Sequence, residues 1–169
     1  IRKGIHLLPV SLLLFSCNSS SLNEYSGNDL AIARHGRTLV NDKSIELISS
    51  ASYAEFQFKG DICNVMLSNK ANEDDYNYAA IELDGNYLNR IKVENVNPQA
   101  YAIKPKNEAD WHTLRIYKAT EAANGLIVLH SVQVSGILAI TEKQDLKIEF
   151  IGNSITCGMG NDAGEIPCG

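Results

Sequence analysis

Short runs in which apolar and polar residues alternate, separated by turn residues, constrain the fold of this chain more than any other feature. From Leu30 to Ala139 these runs are rich in β-branched and aromatic residues, as half-buried strands are. The clearest pair of runs flanks Asp84-Gly85, which predicts a tight hairpin. No stretch sustains a helical period. The sequence therefore predicts a mostly β fold, a jelly-roll-like antiparallel β-sandwich over residues 30–140.

The beginning of the sequence has the pattern of an export signal. Two basic residues precede an apolar stretch over 5–15, which is shorter than the ~20 residues that span a bilayer. It ends in Leu-Phe-Ser before Cys17, which resembles a lipobox. We therefore predict a lipoprotein signal peptide over 1–17, lipidation of Cys17 and a polar tether over 18–29. The protein would be secreted and lipid-anchored to the bacterial cell envelope. The alternative is a plain signal peptide with an incidental cysteine.

Charge and cysteine content exclude several classes of function. The net charge is −5 and no basic cluster stands out, which argues against nucleic acid as a partner. No Cys or His spacing fits a structural zinc site, so no metal or other cofactor is expected. Cys63 lies in a strand-like run and is expected to be buried. Export permits disulfides, so Cys157 and Cys168 could pair.

A strand predicted over 146–151 leads directly into Gly152-Asn153-Ser154. Gly152 lets the chain turn sharply after this strand. The backbone N–H of Ser154 would then lie at the start of a helix, where it can face an oxyanion. A Gly-x-Ser tripeptide alone is more often a structural loop. The preceding strand and the glycines that follow favour a serine nucleophile.

The block over residues 151–158 resembles the first signature block of SGNH/GDSL hydrolases. More narrowly, it resembles carbohydrate esterase family two, in which a β-sandwich precedes this block. The run from His112 to Glu121 has the form H-T-x-x-x-x-K-x-T-E and resembles the later part of that family's N-terminal domain. The resemblance covers roughly Asn28 to Cys168.

This resemblance implies an esterase, similar to acetyl xylan esterases, that removes acetyl groups from plant polysaccharides or oligosaccharides. Ser154 corresponds to the nucleophile and its backbone N–H to one oxyanion donor, with Gly152 and Asn153 supporting the turn. Asn153 stands where aspartate is commoner in the family. The family's catalytic histidine lies downstream of the serine, and no histidine follows Ser154 here. Residues 146–169 are therefore predicted to be the start of a truncated α/β hydrolase domain, and the chain to be an inactive fragment.

Two other functions are compatible with the sequence. The sandwich could bind carbohydrate without catalysis, or it could be a structural lipoprotein with no ligand. Five aromatic residues are candidate sugar platforms, although core or edge packing explains aromatic residues in strands equally well. They are Tyr76, Tyr78, Tyr87, Tyr101 and Trp111. His112 and His130 are expected to be structural, and His35 to lie in a loop or at a strand edge.

Overall fold

The computed structural model describes residues 21–71, 75–105, 111–141 and 151–153, and its strands form two antiparallel sheets. The strands are β1 (Asn23–Ser26), β2 (Ala33–His35), β3 (Thr38–Val40), β4 (Ile45–Leu47), β5 (Tyr53–Lys59), β6 (Cys63–Lys70), β7 (Asn77–Leu83), β8 (Asn86–Val93), β9 (Gln99–Ile103), β10 (Trp111–Lys118), β11 (Leu126–Val134) and β12 (Ile137–Ala139). A 3-10 turn, Ala122–Asn124, is the only helix in these ranges, and none there is long and apolar enough to cross a membrane.

The two sheets have six strands each and share no strand. In the first, called sheet A, the order is β3-β4-β11-β6-β9, and β1 also pairs with β11. In the second, called sheet B, the order is β12-β5-β10-β7-β8, and β2 also pairs with β5. Every strand pair is antiparallel. The predicted antiparallel sandwich is therefore confirmed.

The core lies between the inner faces of the two sheets, as period-two alternation requires. Its largest members are fully buried, and they are Phe56, Phe58, Ile45, Leu47, Leu67, Ile81, Leu114, Ile116, Ile127 and Leu129. Removing one such side chain from water contributes roughly 2–3 kcal/mol. Cys63 is buried among them as predicted, and burial raises the pKa of its thiol to about 12.

The predicted hairpin joins β7 to β8 through Asp84 and Gly85. Both residues have positive φ, 53° and 74°, which is the geometry of a type I′ turn. The Asp84 carboxylate also accepts hydrogen bonds from His112 Nδ1 and from the backbone N–H of Thr113, each at 2.8 Å. The turn is thus fixed both by its own backbone and by β10.

The sandwich begins earlier than the sequence predicts. Residues 23–26, which the sequence predicts to be part of the tether, form β1 and pair with residues 131–134 of β11. The Glu24 carboxylate accepts hydrogen bonds from Ser131 Oγ and Gln133 Nε2, at 2.7 and 3.3 Å. This four-residue strand is mostly polar and has no alternation that the sequence analysis could detect. The tether prediction is therefore corrected from residue 23 onward.

A β-bulge interrupts β11 between Leu129 and Ser131. On one side of the bulge β11 pairs with β4, and on the other side it pairs with β1. Leu129 and Val132 are both fully buried although they are three residues apart, so His130 and Ser131 both face outward. Bulges re-aim side chains in this way. Two consecutive polar residues consequently reach the outer face of sheet A.

Candidate functional site

The structure describes only part of the predicted catalytic segment. Ile151, Gly152 and Asn153 are exposed. Ser154 lies outside the described residues, as do Cys17, Cys157, Cys168 and residues 146–150 of the predicted strand. The geometry of the predicted nucleophile therefore stays a prediction, and the site described below belongs to the sandwich.

The residues of the H-T-x-x-x-x-K-x-T-E run stabilise the sandwich. His112 is buried and bound to Asp84. Lys118 is completely buried, and its Nζ donates to the carbonyls of Thr120 and Glu121 at 2.7 and 2.6 Å and to Thr120 Oγ1 at 3.2 Å. Burial lowers the pKa of Lys118 to about 8. Thr120 Oγ1 in turn donates to the side-chain oxygen of Asn77. The run therefore specifies the fold of the domain rather than a reactive site.

The five candidate aromatic residues do not form one platform. Only Tyr76 and Tyr78 contact each other, edge to face with centroids 5.6 Å apart. Arg90 lies over the Tyr78 ring and Lys92 over the Tyr76 ring, so these rings are partly covered. Two others, Tyr87 and Trp111, are 66% and 46% exposed. Tyr101 packs against the core, and its hydroxyl donates to a backbone carbonyl.

A groove crosses the outer face of sheet A at the bulge, and the sequence did not predict it. It consists of two hollows with volumes of about 410 and 660 Å³, which share Ser44 and His130. We call it the β11 groove. Its lining residues are Glu24, Ser26, Asp42, Lys43, Ser44, Glu46, Ser68, Asn69, Lys70, Ala71, Val96, Val128, His130 and Ser131. They belong to four strands and three loops.

Glu46 is the most deeply placed charge in this groove, with its side chain 7% exposed. Its Oε1 accepts hydrogen bonds from Lys70 Nζ at 2.8 Å and from Asn41 Nδ2 at 3.1 Å. In the described part of the chain, Oε2 has no protein hydrogen-bond donor, and it is not sealed off from solvent. The carboxylate is thus held in place by one oxygen while the other stays available.

His130 and Ser68 form a second fixed polar pair beside Glu46. His130 Nε2 and Ser68 Oγ lie 2.8 Å apart. Burial lowers the pKa of His130 below its usual value of 6.5, which favours the neutral imidazole. A neutral imidazole has one donor and one acceptor. The expectation that His130 is structurally satisfied is confirmed for Nε2.

The outer face of sheet B carries a different arrangement of polar groups. Arg115 lies between two carboxylates and donates to Glu55 through Nε and to Glu82 through Nη1, the latter at 2.6 Å. These two acids raise the pKa of Arg115 further. The Tyr53 ring stacks between His35 and Tyr117, with centroids 4.4 and 4.6 Å away. The charges and rings of this face contact one another.

Other candidate sites give no further chemistry. No three His, Cys, Asp or Glu side chains lie close enough to hold a metal ion within the ranges that the structure describes. His35 ends β2, at a strand edge as expected, and its Nε2 is buried without a hydrogen-bond partner.

Comparisons with solved structures place the sandwich among the N-terminal parts of larger esterases. A family two carbohydrate esterase from Cellvibrio japonicus aligns with a TM-score of 0.72 and 19% identity, over 82% of this chain and 41% of that one. One from Clostridium thermocellum, in complex with cellohexaose, aligns with a TM-score of 0.68 and 29% identity, over 78% and 40%. An acetyl xylan esterase from Butyrivibrio proteoclasticus, 13% identical, aligns with a TM-score of 0.65 over 74% and 35%.

The chain thus spans about 40% of the length of the solved esterases that it matches. No curated protein shows a significant match in sequence. The model of the carbohydrate esterase 2 N-terminal family matches residues 34–143, well over half of the 169 residues and almost the whole of the sandwich. The family match and the fold agree, and the chain belongs to the carbohydrate esterase 2 N-terminal family.

Proposed function

We propose that the protein is a carbohydrate esterase that removes acetyl groups from plant polysaccharides or oligosaccharides with Ser154 as nucleophile. The observation that carries the proposal is the family match over residues 34–143, followed at once by the serine block over 151–158. The 29% identical esterase from Clostridium thermocellum is described in complex with cellohexaose, which supports a carbohydrate substrate. The sandwich would be the N-terminal domain of this enzyme.

In this mechanism the Ser154 hydroxyl attacks the acetyl carbonyl and transfers its proton to a base. The backbone N–H of Ser154 donates to the oxyanion. The bond between the acetyl carbon and the sugar oxygen then breaks, and the sugar oxygen takes the proton from the base and leaves as a hydroxyl. Water then hydrolyses the acetyl-enzyme and releases acetate. Gly152 permits the turn before the serine, and Asn153 supports it.

The base is not expected among the histidines of the sandwich. His112 is buried against Asp84, and Nε2 of His130 is bound to Ser68. The His35 ring is stacked on Tyr53 and its Nε2 is buried. We propose that a histidine beyond Gly169 takes the serine proton and that further oxyanion donors lie there too. The 40% coverage of the related esterases supports this assignment. The present chain alone is then expected to be inactive.

The test is hydrolysis of an aryl acetate and of acetylated xylan by the full-length gene product. Ser154→Ala should lower the rate by a factor on the order of 10⁴ or more, because the acetyl-enzyme can no longer form. Ser50→Ala, on the sandwich and outside the β11 groove, is the matched control and should retain the rate on the aryl acetate. Equal rates above background for the full-length protein and Ser154→Ala would remove this serine from the mechanism. Rates at the uncatalysed background for both proteins would favour a sandwich that binds without catalysis.

We also propose that Cys17 carries a lipid that anchors the enzyme to the bacterial cell envelope. The basic start, the short apolar stretch and the lipobox-like residues before Cys17 support this. Mass spectrometry of the mature N-terminus should find a diacylated cysteine at this position. Cleavage elsewhere, or an unmodified Cys17, would contradict the proposal.

A further inference from the structure

We infer that the β11 groove is a second carbohydrate site, separate from Ser154, which binds a segment of neutral polysaccharide through its hydroxyl groups. The inference rests on the proposed function only for the class of ligand. The existence of a groove with available polar atoms follows from the structure of the sandwich.

The shape of the groove suits an extended chain. Its two hollows meet at Ser44 and His130, so together they form one continuous depression. Its floor follows β11 from Val128 to Ser131, a distance of about 10 Å at the usual rise of a strand. The β3–β4 turn, with Lys43 and Ser44, contributes one part of the lining, and Val96 contributes another. Linear sugar chains bind in open clefts of this kind because they continue beyond both ends.

Two carboxylates in the groove, those of Glu46 and Glu24, are held by hydrogen bonds. Lys70 and Asn41 hold one oxygen of Glu46, and its other oxygen has no protein donor in the described ranges. At the far end, Glu24 is held by Ser131 and Gln133. Carboxylates held in this way accept hydrogen bonds from sugar hydroxyls without first losing side-chain entropy.

The middle of the groove offers both a polar pair and an apolar contact. His130 and Ser68 are joined through Nε2 and Oγ, which leaves the second ring nitrogen of His130 to contact a ligand. Val128 lies on the floor beside them and is 7% exposed. Sugar rings present hydroxyls at their edges and C–H groups on their faces. A floor with one apolar and two polar side chains can contact both.

The charges of the groove favour a neutral ligand. Three acids (Glu24, Asp42 and Glu46) and two bases (Lys43 and Lys70) line it, so the formal sum of the lining is −1, that is 2 − 3. Both signs are present, and Lys70 is paired with Glu46, so the groove has no one-sign field for a phosphate or a polyanion. No cluster that could hold a metal is found among the described residues, which argues against a cation. Hydroxyl groups, which both donate and accept, fit this mixture.

The test is isothermal titration calorimetry on the full chain carrying Ser154→Ala, which measures its affinity for xylohexaose and for cellohexaose. We expect binding of at least one of the two, weakened at least tenfold by Glu46→Gln. Ser44→Trp places a large ring on the loop where the two hollows meet and should also weaken binding at least tenfold. Trp111→Ala, on the other sheet, is the control for exposed aromatic residues and should leave the affinity unchanged. Thermal unfolding of each variant checks that it is folded.

Three results would overturn the inference. Absence of binding to both hexasaccharides would do so, and so would unchanged affinity in a folded Ser44→Trp variant. Loss of binding in Trp111→Ala alone would instead assign the sugar to sheet B. Because catalysis is already removed by Ser154→Ala, none of these results depends on the esterase mechanism. Conversely, an inactive full-length enzyme that still binds through the β11 groove would refute the proposed function and keep the inference.

Discussion

The outer faces of the two sheets carry similar kinds of side chain, but these side chains are connected differently. On sheet B, Arg115 is shared by Glu55 and Glu82, and the rings of His35, Tyr53 and Tyr117 contact each other. On sheet A, Glu46 is held through one oxygen only. Polar groups that satisfy one another stabilise a fold. Polar groups that are held in place and still have an available atom are suited to bind a ligand.

The largest expected effect that tests this contrast is on sheet B. Arg115→Met leaves Glu55, with a side chain only 7% exposed, and Glu82 without their cation. We expect the free energy of unfolding to fall by about 3 kcal/mol, because an uncompensated buried charge is costly. Urea denaturation monitored by fluorescence measures it. A loss below about 1 kcal/mol would mean that the cluster is solvated rather than structural.

Lys118 lies between the sheets and is a buried charge that can be compared with Arg115 and Glu46. Its ammonium group donates hydrogen bonds to backbone carbonyls rather than to a carboxylate. Lys118→Met should lower the free energy of unfolding by about 2 kcal/mol, because the Thr120 and Glu121 carbonyls lose their donor. The pKa of Lys118 is about 8 in the folded protein, below its ordinary 10.5. The unfolded chain therefore binds more protons between these values, and the stability contribution of this group rises as the pH increases from about 8 to 10.5. Denaturation of both proteins at pH 7.5 and 10 should show this rise in the wild type only.

Lys70→Met is the matched change on sheet A. The Lys70 side chain is 62% exposed. Without it Glu46, whose side chain is as buried as that of Glu55, keeps Asn41 Nδ2 as a donor and one oxygen in contact with solvent, so we expect a loss of only about 1 kcal/mol. The same urea measurement applies, and the loss should be several times smaller than that of Arg115→Met. Equal losses of unfolding free energy in Lys70→Met and Arg115→Met would show that the polar groups on the two outer faces contribute equally to stability.

The smallest effect concerns the pH dependence of stability at His130. Its pKa is lowered by burial, so as the pH falls below 6.5 the unfolded chain takes up a proton before the folded one does. The stability contribution of this residue is therefore complete above pH 6.5 and decreases on acidification. His130→Gln should flatten the change in melting temperature between pH 7.5 and pH 5. An identical change in both proteins would show that this imidazole is not desolvated.

Much of the fold follows from local sequence patterns. The alternation along β5, β7 and β10 and the Asp84-Gly85 turn predicted the strands and the hairpin that the structure shows. The sequence also indicates that Glu46 points outward, because its neighbours Ile45 and Leu47 are apolar and successive side chains of a strand point to opposite faces. Two features were not accessible in this way. The bulge breaks the period of β11, and β1 is too short and polar to show one.

The β11 groove could not be predicted because its residues meet only through the sheet order. Glu46, Ser68 and His130 lie on β4, β6 and β11, and these strands become neighbours through crossovers. Periodicity tells which face a residue occupies, but not which strand lies beside it. The resemblance to esterases directed the sequence analysis to Ser154, and it gave no signal for a second site on the sandwich.

The pairing of β1 with β11 has a consequence for how the domain folds. Glu24 and Ser131 are 107 residues apart in the chain, so this ladder closes one of the longest loops in the domain. Contacts of such high sequence separation form late, because the chain must lose the entropy of closing a long loop before the contacts contribute any favourable free energy. β1 should then dock after the rest of sheet A is assembled, and weakening it should speed unfolding more than it slows folding. Until β1 arrives, the second half of β11 is an open edge that another chain could pair with.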